Sequence, residues 1–471
     1  MCVGSIKKFF KLLRERDALA WFVLLIVAVY LVFLAFSPVF RYGDDMRYFA
    51  TAKTIALTGD LAPKYEIFGG TVFDGPPLLA YILTVLYFAS FGNQFVWFFI
   101  AKAFMLAVFF CSFFMLNKFC NKYNFSRNEK IAVLGIFSFF PVSIFTSISA
   151  MQDQIIVLFT LLLFWLLLDK KNRYAEIGIV SGLLILTKIT AFLVIGSAIL
   201  AVFLLKRSRK EKVLFIAAML AGILLINSLW MLRNYSDFGT PFYHHSMGEN
   251  YELFPGESTA GKIFYVYIST WALPTADYIS GSIKFLSTSS VMLLEMIIGL
   301  FLLPIFLILF RNIYKYRKRF LEFIPLILII FLFAYVYLSV FVQWVDVRHL
   351  LPALPFASLI IAKNIDRKKM YYFAACFIIF ILIAGVTNFM IKSKQDSTFS
   401  SLKNIIDNNP EKTISIPDWE LRSFASLYFN TEINNASKTC NIWERNGNLF
   451  YCTTSNTVQI SKTIPISSSN S

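Results

Sequence analysis

WFVLLIVAVYLVFLAFSPVF (residues 21–40) is twenty residues without a charge, and it runs directly into RYGDDMRYF (residues 41–49). A helix needs about 20 apolar residues to cross the hydrocarbon core of a bilayer. The first segment therefore reads as a membrane span and the second as the loop at its far end. Residues 320–341 and 370–390 are apolar runs of similar length. Across all 471 residues, 58% are hydrophobic and 15% charged, where a soluble domain carries about 25% charged residues. This composition excludes a soluble globular enzyme and predicts an all-α polytopic membrane protein.

The formal charge of +16 would suit a nucleic-acid partner only if the basic residues shared one face. Instead they fall in short loops between apolar segments, the pattern of cytoplasmic loops under the positive-inside rule. Residues 1–18, 117–130, 169–176, 206–212, 311–319 and 363–369 hold 26 of the 44 Lys and Arg but only seven acids, leaving −3 for everything else. The first apolar run outlasts a signal-peptide core and lacks a small-x-small cleavage site, so it reads as a retained span.

With those loops inside, each stretch between two of them crosses an even number of times. Parity demotes residues 77–91, which open on Pro76-Pro77, to a helix on the outer surface. It also predicts that residues 177–205 turn back as two short helices hinged near Thr187-Lys188. The count is about eleven transmembrane helices, with the N-terminus cytoplasmic and the C-terminus extracytoplasmic. Residues 1–391 form the membrane domain, and residues 392–471 read as a small extracytoplasmic α/β unit: a strand at 413–416, a helix at 419–429 and a hairpin turn at Asn446-Gly447. Cys440 and Cys452 flank that turn, where a disulfide and two separate buried thiols are both chemically allowed. No Cys spacing suggests zinc.

Acids gather on the outer side. Asp44, Asp45, Arg47 and Tyr48 follow the first span, and apolar spacing from Tyr48 to Ala56 predicts a helix along the bilayer surface. Asp74 precedes the paired prolines, and Asp153 in SAMQDQ sits at a short outer turn. Any one of these could be a solvated helix cap, but all four lie on one face of the predicted topology. His244-His245 reads more simply as an exposed loop pair than as a metal site, and two Asn-x-Ser sequons at 234 and 435 are short matches. Lys102 and Glu295 are intramembrane charges, hence functional candidates or structural partners.

In order along residues 15–365, several motifs resemble the GT-C class of membrane glycosyltransferases: protein O-mannosyltransferases, lipid A aminoarabinose transferases and RgtA-like enzymes. They are YGDDMRYF (42–49), LTGDL (57–61), FDGPPLLAY (73–81), QDQIIVLF (152–159), GIVSGLLILTK (178–188), WMLRNYSDFGTP (230–241) and RHLLPALP (348–355). Two positions depart from the pattern: Gly75 stands where many members carry Lys or His, and His349 where Tyr is usual.

The resemblance implies juxtamembrane helices in the first outer loop and inverting transfer of a sugar from a polyprenyl-phosphate donor to an acceptor hydroxyl on a protein, glycan or lipid, outside the membrane. It implies Asp44 as the base, with Asp45 orienting a reactant. Arg47, Lys188, Arg233 and Arg348 are the cations for the donor phosphate, and Tyr48, Asp74 and Asp153 would contact substrate. No cofactor is certain, although Mg²⁺ or Mn²⁺ would suit such oxygen ligands. The competing class is a polytopic transporter or lipid-linked sugar flippase. Its ionisable groups would cluster at the bilayer midplane within repeated halves, a pattern this sequence lacks.

Overall fold

The computed structural model describes residues 18–38, 43–63, 75–169, 171, 173–242, 304–305, 307–333, 347–407, 442–445, 448–452 and 457–461. Within them the chain is mostly helical. Helix α1 (Ala18–Phe36) presents Ile26, Tyr30 and Phe33 to the protein and leaves Leu24, Leu25, Leu31, Val32 and Phe36 exposed. An apolar outer face of this kind is what a lipid-facing helix requires. Helix α4 (Gln94–Lys122) is the opposite case, more than half buried along its apolar window. Tyr30 of α1 stacks on Phe109 of α4 at 4.4 Å and donates its hydroxyl to the carbonyl of Ser138 at 2.6 Å.

Between these two helices lie α2 (Gly43–Thr58) and α3 (Leu78–Ala89). At twelve residues α3 is about 18 Å long, too short to cross a bilayer core. The two pack together, with the hydroxyl of Thr84 donating to the carbonyls of Ala52 and Ala80 at 3.1 and 2.8 Å. The sequence predicts a one-sided surface helix for α2, but burial is continuous from Phe49 to Ile55 and includes Thr51, Lys53 and Thr54. Protein, not lipid, therefore covers it on more than one side.

Helix α5 (Arg127–Phe139) starts on a capping box in which Ser126 and Glu129 satisfy each other's backbone N–H groups. After α6 (Pro141–Ser147) and a short turn, α7 (Asp153–Leu168) returns through the core. Helix α8 (Tyr174–Thr187) ends where Lys188 becomes extended at φ −158°, and α9 (Phe192–Leu204) follows a 3₁₀ turn over Ile189–Ala191. The break thus falls at the hinge expected from parity, without a glycine or proline to mark it.

Helix α10 (Arg209–Phe238) starts on a second capping box, Ser208 with Glu211, and ends at Gly239, whose φ of 75° only glycine takes without strain. It meets α8 through glycines: a methyl on Gly222 would lie 1.9 Å from the carbonyl oxygen of Gly178. Asn227 reinforces the contact by donating to the carbonyl of Gly182 at 3.0 Å. Small residues that let backbones approach are how helices associate where no water is present to drive them together.

Helix α11 (Ile324–Leu332), a 3₁₀ segment (Val347–Ala353), α12 (Leu354–Ala362) and α13 (Arg367–Asp407) complete the helical part. Phe119, Phe164, Phe323 and Phe356 interlock with ring separations of 4.7 to 5.9 Å. Helix α13 runs unbroken for 41 residues, so the boundary expected at 391/392 falls inside it, where its composition turns polar. Four helices among the described residues are long and apolar enough to span a bilayer, and five shorter apolar helices accompany them.

Strands β1 (Ile442–Arg445), β2 (Asn448–Cys452) and β3 (Thr457–Ser461) form an antiparallel sheet in that order. Arg445 pairs with Asn448, leaving Asn446 and Gly447 between the strands. The strand expected at 413–416, the helix expected at 419–429 and the Cys440–Cys452 question lie outside the described residues, as do Asp74, His244, His245 and Glu295.

Candidate active site

Asp153 occupies the first turn of α7, where a carboxylate favours the exposed N–H groups of a helix start. The preceding Gln152 ties this turn to the first outer loop by donating from Nε2 to the carbonyl of Pro76 at 3.3 Å. The Asp153 side chain is only 4% exposed, and its Oδ1 accepts from Lys188 Nζ at 3.0 Å. Because α8 breaks at Lys188, the lysine leaves the helix path at the point where it reaches α7. Oδ2 of Asp153 is buried and has no hydrogen-bond partner among the described residues.

Arg348 and His349 enter from the 3₁₀ segment. Arg348 is 5% exposed and lies 3.6 Å from the sulfur of Met151, two residues before Asp153. His349 sets its ring edge-on to Phe333 at 5.8 Å. Asp153, Thr190, Arg348 and His349 share a small cavity of about 10 Å³ that is otherwise lined with apolar side chains. Three residues expected to act together, Asp153, Lys188 and Arg348, are therefore neighbours, although 195 positions separate the first from the last.

The acid pair belongs to α2. The backbone places Asp44 and Asp45 at the start of α2, and Asp45 is 1% exposed, while Arg47 and Tyr48 are half-buried. The side chain of Asp44 is outside the described residues. Helix α2 is fixed by Phe49, which meets Trp97 and Phe98 of α4 edge-on at 4.8 and 5.0 Å. Met46 and Phe49 of α2 and Ala150 and Ile155 near Asp153 belong to one apolar cluster, which also takes in Trp97, Phe98 and Met105 of α4. Lys102 works just below: its ammonium donates to Ser37 Oγ at 3.0 Å and to the carbonyls of Ser37 and Pro38. These carbonyls lie just past the end of α1, so Lys102 ties down the chain where it leaves that helix.

Arg233 lies near the C-terminal end of α10. It pairs with Asp237 at 3.1 Å, donates to the carbonyl of Pro63 at 2.9 Å and lies over the ring of Phe238. Burial raises the phenol of Tyr81 above its ordinary range, the nearby Arg233 partly offsets this, and Asp60 adds to it. Arg233 thus braces α10 against the first outer loop.

Two residues absent from the sequence-based set belong to this region. His349 carried a signal, since it stands in a motif position. Lys53 carried almost none: it is a lysine in mid-helix between Ala52 and Thr54, yet it is completely buried, and desolvation lowers its ammonium to about 8. Among the described residues no group of three or more His, Cys, Asp or Glu is arranged to hold a metal ion.

A buried carboxylate paired with one cation and sharing a cavity with another, in a site largely stripped of water, suits an anionic group that gains charge as it leaves. The fold is that of the GT-C membrane glycosyltransferases. It aligns with ArnT from Cupriavidus metallidurans in the apo state at a TM-score of 0.58 and 12% identity, over 89% of this chain and 86% of that one. The apo oligosaccharyltransferase of Archaeoglobus fulgidus aligns at 0.51 and 12% identity, over 88% of this chain and 64% of the other. No family model matches the sequence, and no curated protein matches it significantly. The correspondence at this identity is one of fold.

Proposed function

We propose that this chain is an integral membrane glycosyltransferase that moves a sugar from a polyprenyl-phosphate carrier to an acceptor hydroxyl on a protein, glycan or lipid. The reaction takes place on the extracytoplasmic face. The observation that carries this reading is the ion pair of Asp153 with Lys188 and the cavity that Asp153 shares with Arg348, within a GT-C fold. Eleven crossings, with the N-terminus cytoplasmic and a small extracytoplasmic C-terminal domain, complete it.

In this reading the acceptor oxygen attacks the anomeric carbon as the bond to phosphate oxygen breaks, inverting the centre. Asp44 takes the acceptor proton, and the bonding pair leaves with the phosphate, which needs no proton of its own. Asp45 orients the acceptor, and Lys188 and Arg348 hold the departing charge, Arg348 with its planar fork. Arg47 and Arg233 flank the approach of the donor, while Tyr48, Asp74 and Asp153 contact sugar hydroxyls. A divalent cation bound by the outer acids belongs to the same reading, and assaying with and without a chelator tests it.

The deciding experiment is transfer from a panel of radiolabelled polyprenyl-phosphate sugars by purified protein in lipid, with cell-envelope extract as acceptor. Wild type should transfer from at least one donor, and Asp44→Asn should be folded but inactive. Near-normal turnover by Asp44→Asn would remove it as the base. No turnover with any donor would shift the case to a transporter.

A further inference from the structure

The basic end of the bundle carries a second polar site, about 20 Å from the Asp153 cluster by the helical rise between Arg348 and Lys363. A cleft of about 750 Å³ opens there between the end of α4, the start of α5 and the turn from α12 to α13. Asn121, Asn124, Glu129, Lys130, Lys363 and Asn364 supply its polar lining. The carboxylate of Glu129 is already committed: Oε2 accepts from the N–H of Ser126 at 2.7 Å, and Oε1 from Lys363 Nζ at 2.7 Å and the N–H of Asn364 at 2.8 Å. Glu129 cancels Lys363, and the cleft keeps the charge of Lys130. That ammonium has three donors and spends one on Asn121 Oδ1 at 2.6 Å. One excess positive charge beside two asparagine amides is the chemistry of a phosphate site.

The surroundings say where the phosphate comes from. Helix α13 begins just past the cleft, and Tyr371, Ile378, Leu382, Val386 and Phe389 are all more than half exposed along it. Their spacing puts them on one side of the helix, an apolar track that starts within two turns of the cleft and suits an acyl chain. Basic pockets at helix ends on the cytoplasmic side are where anionic head groups bind.

We propose that this cleft binds the phosphate head group of an anionic phospholipid from the leaflet at the basic end of the bundle, with a chain lying along α13. The proposal is independent of the transfer reaction. Native mass spectrometry of the full-length protein, released from an equimolar mixture of phosphatidylglycerol and phosphatidylcholine, tests it. Phosphatidylglycerol should be retained preferentially, and Lys130→Ala should lower its retention roughly fivefold, the weight of one lysine at a charged surface. Asn124→Ala should also weaken it, whereas Lys210→Ala, at the same end but outside the cleft, should not. Equal retention of the two lipids, no change in Lys130→Ala, or an equal loss in Lys210→Ala would overturn the proposal. Displacement by millimolar inorganic phosphate would overturn the lipid as the source and assign the cleft to a free anion.

Discussion

Lys188 and Asp153 form a pair whose carboxylate is almost wholly withdrawn from solvent. Removing one partner of such a pair leaves the other uncompensated, at a cost of about 3–5 kcal/mol, whereas replacing both is far milder. Lys188→Met should therefore melt well below wild type in detergent, and Lys188→Met combined with Asp153→Asn should recover much of the loss. Equal melting of wild type and Lys188→Met would show that the ion pair is not a structural element. Lys53 makes a separate prediction. Its ammonium titrates near 8 in the fold and near 10.4 in an unfolded chain, so the unfolded state binds more protons between these values and stability rises with pH there. The penalty for burying the charge is fully present below pH 8 and fades towards pH 10.4. Lys53→Met should accordingly melt above wild type at pH 7, with the gap closing over that window. A gap independent of pH would disprove the assignment.

Among the elements, the contact between α8 and α10 decides where Lys188 stands. Gly222 lies against the backbone of Gly178, too close for any side chain. In Gly222→Ala the helices must part, which costs about 1–3 kcal/mol by overpacking and displaces the end of α8. Melting should fall, and sugar transfer should fall further than melting alone explains, because Lys188 loses its register with Asp153. Full activity in a folded Gly222→Ala protein would separate the two. Helix α2 illustrates a different element-level effect. Its apolar spacing is that of a surface helix, yet Thr51, Lys53 and Thr54 are as buried as Phe49. Periodicity reports which residues prefer to avoid water; it is silent on whether a neighbour also covers the polar ones.

At the scale of the molecule, the proposed topology puts residues 206–212 in the cytoplasm and the first outer loop on the opposite side. In a background without native thiols, Asp60→Cys should react with an impermeant thiol reagent on intact cells, and Lys210→Cys only after permeabilisation. The reverse result would invert the topology. Composition and charge blocks were enough to establish a polytopic membrane chain, and parity alone located the break at Lys188, because hydropathy and charge are properties each segment carries by itself. The likeness to GT-C enzymes was legible as seven short motifs in order, and the fold matches it. The meeting of Asp153 with Lys188, the reach of Arg233 to the carbonyl of Pro63 and the burial of Lys53 were decided by the tertiary structure alone. Each depends on which helices touch, and at what depth: Lys188 meets Asp153 across 35 residues of chain, and Arg233 meets Pro63 across 170. Packing of that range is set by contacts such as Gly178 against Gly222 and Phe49 against Trp97, and no local pattern in the sequence encodes it.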